Sequence, residues 1–195
     1  MSEIQLLFGS FNRNKHREVR ELLAPTGVVC AADFGGLSEP DETGGALEEN
    51  ALLKARHYYE KTGLVCFADD TGLHVDALDG APGVQSARFA GPNAGDRDNR
   101  RRLLELLSGP SPARFRTVIA FFDGSLSRIF EGTLEGEIVM KERGTHGFGY
   151  DPLFVPEGLD RTLAELSPEE KNAISHRKRA VARFVEFWDE YRRRS

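Results

Sequence analysis

Five short stretches of the chain hold residue types that chemistry uses. The first, SFNRNK, sets Ser10, Phe11, Asn12, Arg13, Asn14 and Lys15 directly after an apolar run. A strand, a polar turn and a helix start put free backbone N–H groups and a lysine around one point, which suits a phosphate. The spacing is not that of a Walker A loop, and an Asn-rich turn with a surface lysine would look the same. The second, ADDTG, brings Asp69, Asp70 and Thr71 out of an apolar strand, LVCFA. Neighbouring side chains on a strand point apart. One carboxylate can therefore face a ligand and hold Mg²⁺ through oxygen at roughly 2.1 Å, while the other braces a turn; simple capping of the strand is the alternative. The third is an acidic loop with Glu39, Asp41 and Glu42, either a second metal ligand or a solvated loop.

The fourth stretch is GFGYD, with Phe148, Gly149, Tyr150 and Asp151. Its glycines allow close backbone approach, and Phe148 and Tyr150 could stack on a base or cover the edge of a core. The fifth, EEKNAISHR, holds Lys171, His176 and Arg177. Lys171 and His176 lie about 140° apart around a regular helix. Either a turn near Ser175 breaks that helix, or one of the two points away.

The elements that must position these residues alternate in kind. Strands are expected at Ile4–Phe8, near Val28–Ala31 and at LVCFA, the last delivering Asp69 and Asp70 at its tip. Helices are expected from about Lys15 to Leu23, stopped by Pro25, and from Leu47 to Thr62, stopped by Gly63. The second carries Leu47, Ala51, Ala55 and Tyr58 or Tyr59 at helical spacing. A long loop, LDGAPGVQSARFAGPNAG, leads to a helix near Asp96–Leu107. RFRTVIAFFDGSLSRIFEGTLEGEIV reads as antiparallel strands turning at Asp123-Gly124. Ser167-Pro168-Glu169-Glu170 matches a capping box, and Ala180, Val181, Phe184, Trp188 and Tyr191 form the core stripe of the last helix. The order predicts an α/β fold, a mixed β-sheet with flanking helices, in one domain over residues 1–195, with ligands beyond the carboxyl ends of strands.

Composition narrows the classes. The 195 residues carry a net charge of -5, opposite in sign to most nucleic-acid-binding domains. No stretch is long and apolar enough for a membrane span, and the first residues lack the pattern of a signal peptide. Cys30 and Cys66 are too few for a disulfide framework and sit in apolar runs, so reduced thiols and a cytoplasmic protein are expected.

Taken in order, SFNRNK, ETGGALEENALLKA, ADDTGLHVDALDGAPGVQSARF, GTHGFGYDPLF and SPEEKNAISHR resemble the inosine triphosphate pyrophosphatase family. The resemblance runs from about Leu6 to Phe187. Ser10 stands where that family often has Thr, and Asn14 where it often has Gly. The resemblance implies hydrolysis of ITP, dITP and XTP to the monophosphate and pyrophosphate, with Mg²⁺ as cofactor. It implies an elongated structure, an elongated mixed β-sheet with two lobes around a central substrate cleft, and a homodimer; the net charge and the lack of an apolar span argue for no nucleic-acid and no membrane partner. Ser10 to Lys15 would hold the substrate, and Lys54 and Arg88 would face the triphosphate. Asp70 would bind Mg²⁺ and accept a proton, with Asp69 as the other possible acceptor, and Thr71 would touch the nucleotide. Asp41 is taken as the second metal acid, with Glu39 and Glu42 as alternatives. Phe148, Gly149, Tyr150, Asp151, Lys171, His176 and Arg177 would form the nucleotide pocket. The motifs GFGYD and SHR argue against a pyrophosphatase of the septum-formation inhibitor kind, and the full set of lysines and acids argues against a silent nucleotide-binding module.

Overall fold

The computed structural model describes residues 5–23 and 27–194. Ile4, expected to open the first strand, and Pro25, expected to stop the first helix, lie outside them. Among the described residues are seven strands and five α-helices. In chain order these are β1 (Leu6–Phe8), α1 (Arg13–Leu22), β2 (Val29–Cys30), α2 (Leu47–Thr62), β3 (Val65–Val75), β4 (Pro82–Gly83), α3 (Asp96–Leu106), β5 (Ser111–Phe122), β6 (Ser127–Ile138), β7 (Phe154–Pro156), α4 (Pro168–Ile174) and α5 (His176–Arg194). The strands form one sheet in the order β2-β1-β3-β5-β6-β7, with β4 paired to β3. The sheet is mixed, as the alternation predicted. β1 runs parallel to β2 and β3, with Phe8 opposite Cys30 and Phe67, whereas β4 and β7 pair antiparallel to β3 and β6.

β3 departs from the expected reading. It does not end at Ala68 with the two aspartates at its tip but continues through them to Val75. Tertiary pairing overrides the turn signal of Asp-Asp-Thr-Gly. Leu73 and His74 pair with Gly83 and Pro82 of β4, inside the stretch expected to be all loop. Gly72 makes this approach possible, since a Cβ there would sit 2.6 Å from the Gly83 carbonyl oxygen.

The chain divides into two compact units. The first holds the residues up to Asp70, Thr117–Gly132 and those from Lys178 on; the second holds Thr71–Arg116 and Thr133–Arg177. The core of the first is aromatic. Phe67 stacks on Phe8 at 4.9 Å and on Phe184 at 4.6 Å, and Phe184 stacks on Trp188. Each such ring contributes about 1.5–3 kcal/mol when fully buried. The α5 stripe packs as expected, and Tyr191 donates from its hydroxyl to Asp123 Oδ2 at 2.9 Å. The core of the second unit gathers Leu73, Val75, Leu103, Phe115, Tyr150, Phe154 and Leu163, among others.

Candidate functional site

In the first unit, polar residues converge around β3. Consecutive strand residues point apart, and so do the two aspartates. Asp69 pairs with Lys15 Nζ at 3.1 Å, its side chain only 1% exposed. Asp70 Oδ1 accepts from Lys54 Nζ at 3.2 Å, and its Oδ2 accepts from Asn50 Nδ2 at 3.3 Å. Lys54 Nζ also donates to Glu42 at 2.8 Å. Lys54 is thus a buried ammonium held by two carboxylates. Burial works to lower its pKa, but Asp70, Glu42 and Asp69 around it outweigh burial and hold it above the ordinary lysine value. Asp70 is shifted upward, first by its own burial, with the neighbouring Glu42 adding to this and Lys54 and Lys15 opposing it. A carboxylate raised in this way is a stronger proton acceptor.

Helix α2 supplies this cluster because of its periodicity. Its buried face reads Leu47, Asn50, Ala51, Lys54, Ala55, Tyr58, so one turn separates Asn50 from Lys54 on the same stripe as the apolar residues. The acid delivered to Lys54 and Asp70 is Glu42 rather than Asp41. In the extended loop neighbouring side chains alternate: Asp41 is exposed and Glu42 turns inward. Glu39 is engaged elsewhere, accepting from the Phe11 backbone N–H at 3.2 Å.

The stretch Ser10–Lys15 does not form the expected ring of free N–H donors. Asn12 caps α1, its Oδ1 accepting from the Asn14 and Lys15 N–H groups at 3.0 and 3.2 Å. Those two donors are therefore not open to a phosphate, because the cap takes them. Helix α1 begins at Arg13, two residues before the expected start. Ser10 is buried, its Oγ accepting from the Asn12 N–H at 3.2 Å, and its carbonyl meets His16 Nε2. Phe11 is half-buried beside Tyr58, Arg13 is exposed, and Asn14 accepts from Arg17. Lys15 is not a surface lysine, being 14% exposed and turned to Asp69.

In the second unit a different cluster forms. The chain breaks at Ser175, whose backbone is extended (φ -63°, ψ 149°), so α4 and α5 are separate helices. The break removes the angular problem between Lys171 and His176. Lys171 Nζ donates to Asp151 Oδ2 at 2.7 Å and lies 4.6 Å from the centre of the Phe148 ring. The Arg177 guanidinium lies 6.0 Å from the same ring and donates to Thr71 Oγ1 at 3.3 Å. His176 is buried and stacks on Phe115 at 5.0 Å. Arg88 ends a short 3₁₀ turn, Ser86–Arg88, in this same unit.

Within GFGYD the two aromatics part company. Phe148 is half-buried with two cations near its ring. Tyr150 is a core residue, its hydroxyl donating to the Ser86 carbonyl at 2.9 Å, so it is not a second stacking ring. Asp151 closes the turn by accepting from the Phe148 N–H at 2.9 Å. Helix α3 grips the peptide between them. The Gly149 N–H donates to Asp96 at 2.7 Å, and the Gly149 carbonyl accepts from Arg100 at 2.8 Å.

Sequence reasoning passed over Asn50, Asp96 and Arg100. The available signal was spacing: Asn50 and Lys54, like Asp96 and Arg100, lie four apart on a helix and share a face.

Comparison with known proteins gives the chain's family. A sequence model of the Ham1 family matches residues 6–187. A dITP/XTP pyrophosphatase of Thermoanaerobacter pseudethanolicus is 43% identical over 190 residues, covering 94% of this chain and 96% of that protein. One from Porphyromonas gingivalis is 47% identical over 187 residues, with the same coverage. The solved structure of a HAM1 protein from Coxiella burnetii superposes with a TM-score of 0.87 at 39% identity, covering 96% of this chain and 99% of that one. On full-length similarity in both sequence and structure, the chain belongs to the Ham1 family.

Proposed function

We propose that the protein hydrolyses the purine nucleoside triphosphates ITP, dITP and XTP to the monophosphate and pyrophosphate, and does so with Mg²⁺. The observation that carries this reading is the buried cluster of Lys54 with Asp70 and Glu42, beside Lys15 with Asp69, in a chain whose full-length relatives bear the name dITP/XTP pyrophosphatase. A nucleoside triphosphate is an oxygen-rich polyanion. Two lysines now paired with acids are placed to turn to its phosphate oxygens, and a cation taken up by Asp70 and Glu42 would pair the charges that Lys54 leaves.

The donor set fits Mg²⁺. Among the described residues no group of three or more His, Cys, Asp or Glu could hold a metal alone. Asp70 and Glu42, however, present hard oxygens to one point, now filled by the Lys54 ammonium. Mg²⁺ is commonly held by one or two carboxylates together with substrate phosphates and water. Asp70 and Glu42 would hold it, and it would supply charge neutralisation at the phosphoryl oxygens. Lys15 and Lys54 would bind the triphosphate. Water attacks phosphorus, the bond joining the α and β phosphates breaks, and pyrophosphate leaves. The water's proton passes to Asp70, whose raised pKa suits that role. In the second unit Phe148 would stack on the base, while His176 and Arg177 would donate to the C6 carbonyl that hypoxanthine and xanthine carry and adenine lacks.

Cytoplasmic residence and a homodimer belong to the same reading. The free, buried Cys30 and Cys66 support the first, and the motif resemblance supports the second. The test is pyrophosphate release across a panel of ITP, dITP, XTP, GTP and ATP, with and without Mg²⁺. Equal turnover of ATP and ITP, or release of orthophosphate alone, overturns the substrate assignment.

A further inference from the structure

Asn50 is wholly buried on a helix face otherwise given to apolar residues and Lys54. A buried amide must find partners for both its ends, and Asn50 finds them on two separate segments. Its Oδ1 accepts from the Gly44 N–H of the acidic loop at 2.8 Å. Its Nδ2 donates to Asp70 Oδ2 on β3 at 3.3 Å. One turn later on the same face, Lys54 touches the same two segments through Glu42 and Asp70 Oδ1. The loop and β3 are therefore tied twice from one helix stripe, once by a charge and once by a neutral amide.

The two ties differ in what a substrate does to them. Lys54 is an ammonium, and the oxygens of a bound triphosphate would compete with Glu42 and Asp70 for it. Asn50 has no charge to attract a phosphate, and its link to the loop runs through backbone. Gly44 is shaped for that link, since a Cβ on it would lie 2.6 Å from Asn50 Oδ1 and 2.7 Å from Glu49 Cβ.

We infer that Asn50 is the positioning residue of this centre: it keeps Asp70 aimed, and the Glu42 loop in place, when Lys54 turns from the carboxylates to the triphosphate. The inference rests on the pyrophosphatase reading above. It assigns Asn50 no contact with substrate. Removing a hydrogen-bonding partner of this kind typically lowers activity or metal affinity 10–100-fold. Since the nucleoside contacts are untouched, the loss falls on kcat while KM for ITP stays near its original value.

Two variants and two readouts test it. Asn50→Leu removes both hydrogen bonds at similar volume, and Gly44→Ala disturbs the same link from the loop side. Each is assayed with ITP at saturating MgCl₂, and Asn50→Leu is also combined with Asp70→Asn in a thermal-unfolding cycle. The expected result is a kcat lowered about 10–100-fold with KM little changed in whichever variant folds, and a non-additive cycle, because Asp70→Asn has already altered the partner. A kcat at the wild-type value in a folded variant, or strict additivity in the cycle, overturns the inference while leaving the proposed function standing. A wild-type protein that releases no pyrophosphate from any of the nucleotides overturns both.

Discussion

The two functional clusters are built by opposite means. In the first unit, all four polar groups stand on regular elements: Asp69 and Asp70 on opposite faces of a long strand, and Asn50 and Lys54 on one buried face of a long helix. In the second, Phe148 stands on a glycine-bounded turn that is held from outside: Asp151 closes it, Lys171 ties it to α4, and Asp96 with Arg100 grips its backbone. On the proposed reading, charge handling sits on regular elements and base handling on a braced loop. The chemistry accounts for the difference. A proton acceptor gains most from tight placement, because misplacement of about 1 Å can cost 10²-fold in rate. A stacking ring meets a flat surface and tolerates more play. Damage to the first cluster should therefore strike turnover, and damage to the second should strike affinity and selectivity.

The largest effect is expected at Asp70. Asp70→Asn should lower kcat for ITP by about 10²–10⁴-fold while circular dichroism and the unfolding temperature show a folded protein. Near-normal turnover with unchanged Mg²⁺ dependence would remove Asp70 from the centre.

Next come the donors of the second cluster. His176→Ala and Arg177→Ala should each cut the preference for ITP over ATP by about 10–100-fold, the worth of one buried hydrogen bond left unmade. Kinetics with ITP, GTP and ATP separate this from a phosphate role. A loss by the same factor on every nucleotide would assign both residues to phosphate and blur the division between the clusters.

A smaller effect is expected from the brace. Arg100→Ala frees one end of the Gly149 peptide and should raise KM for ITP by about 5–10-fold, equivalent to a hydrogen bond worth roughly 1 kcal/mol, with kcat changed less. A fall confined to kcat would show that the loop geometry matters to the chemical step itself.

The smallest effect concerns stability and contrasts two aspartates of the first unit. Asp70 is pushed up by burial, whereas Asp123 moves down. Burial nudges Asp123 upward too, but hydrogen bonds from the Leu126 and Ser125 N–H groups and from the Tyr191 hydroxyl win. A carboxylate lowered on folding contributes stability above its unfolded pKa of about 3.9, and that stability is lost as the pH falls through the folded value. Asp123→Asn should therefore lower the unfolding temperature modestly at neutral pH, and the gap to the wild type should close below about pH 4. A gap that stays constant with pH would locate the effect in packing rather than in charge.

Several features of the protein follow from its sequence alone because their causes are local. Period 3.6 in Leu47–Thr62 and in the last helix, the Asp123-Gly124 turn and the Ser167 capping box each depend on residues a few positions apart. Strand alternation likewise turned Asp69 and Asp70 to different partners. Tertiary structure decided what depends on distant segments. β3 runs on to Val75 because β4 arrives beside it. Tyr150 enters the core while Phe148 stays half-buried, because only one of the two finds the Ser86 carbonyl and the apolar cluster around it. The acidic loop offers three carboxylates of equal chemistry, and Glu42 is the one that shares Lys54 with Asp70, in a loop that Asn50 holds through the Gly44 N–H. Residue type and spacing name the groups able to bind a phosphate or a cation, but which of them meet is set by long-range packing, to which neither type nor spacing is sensitive.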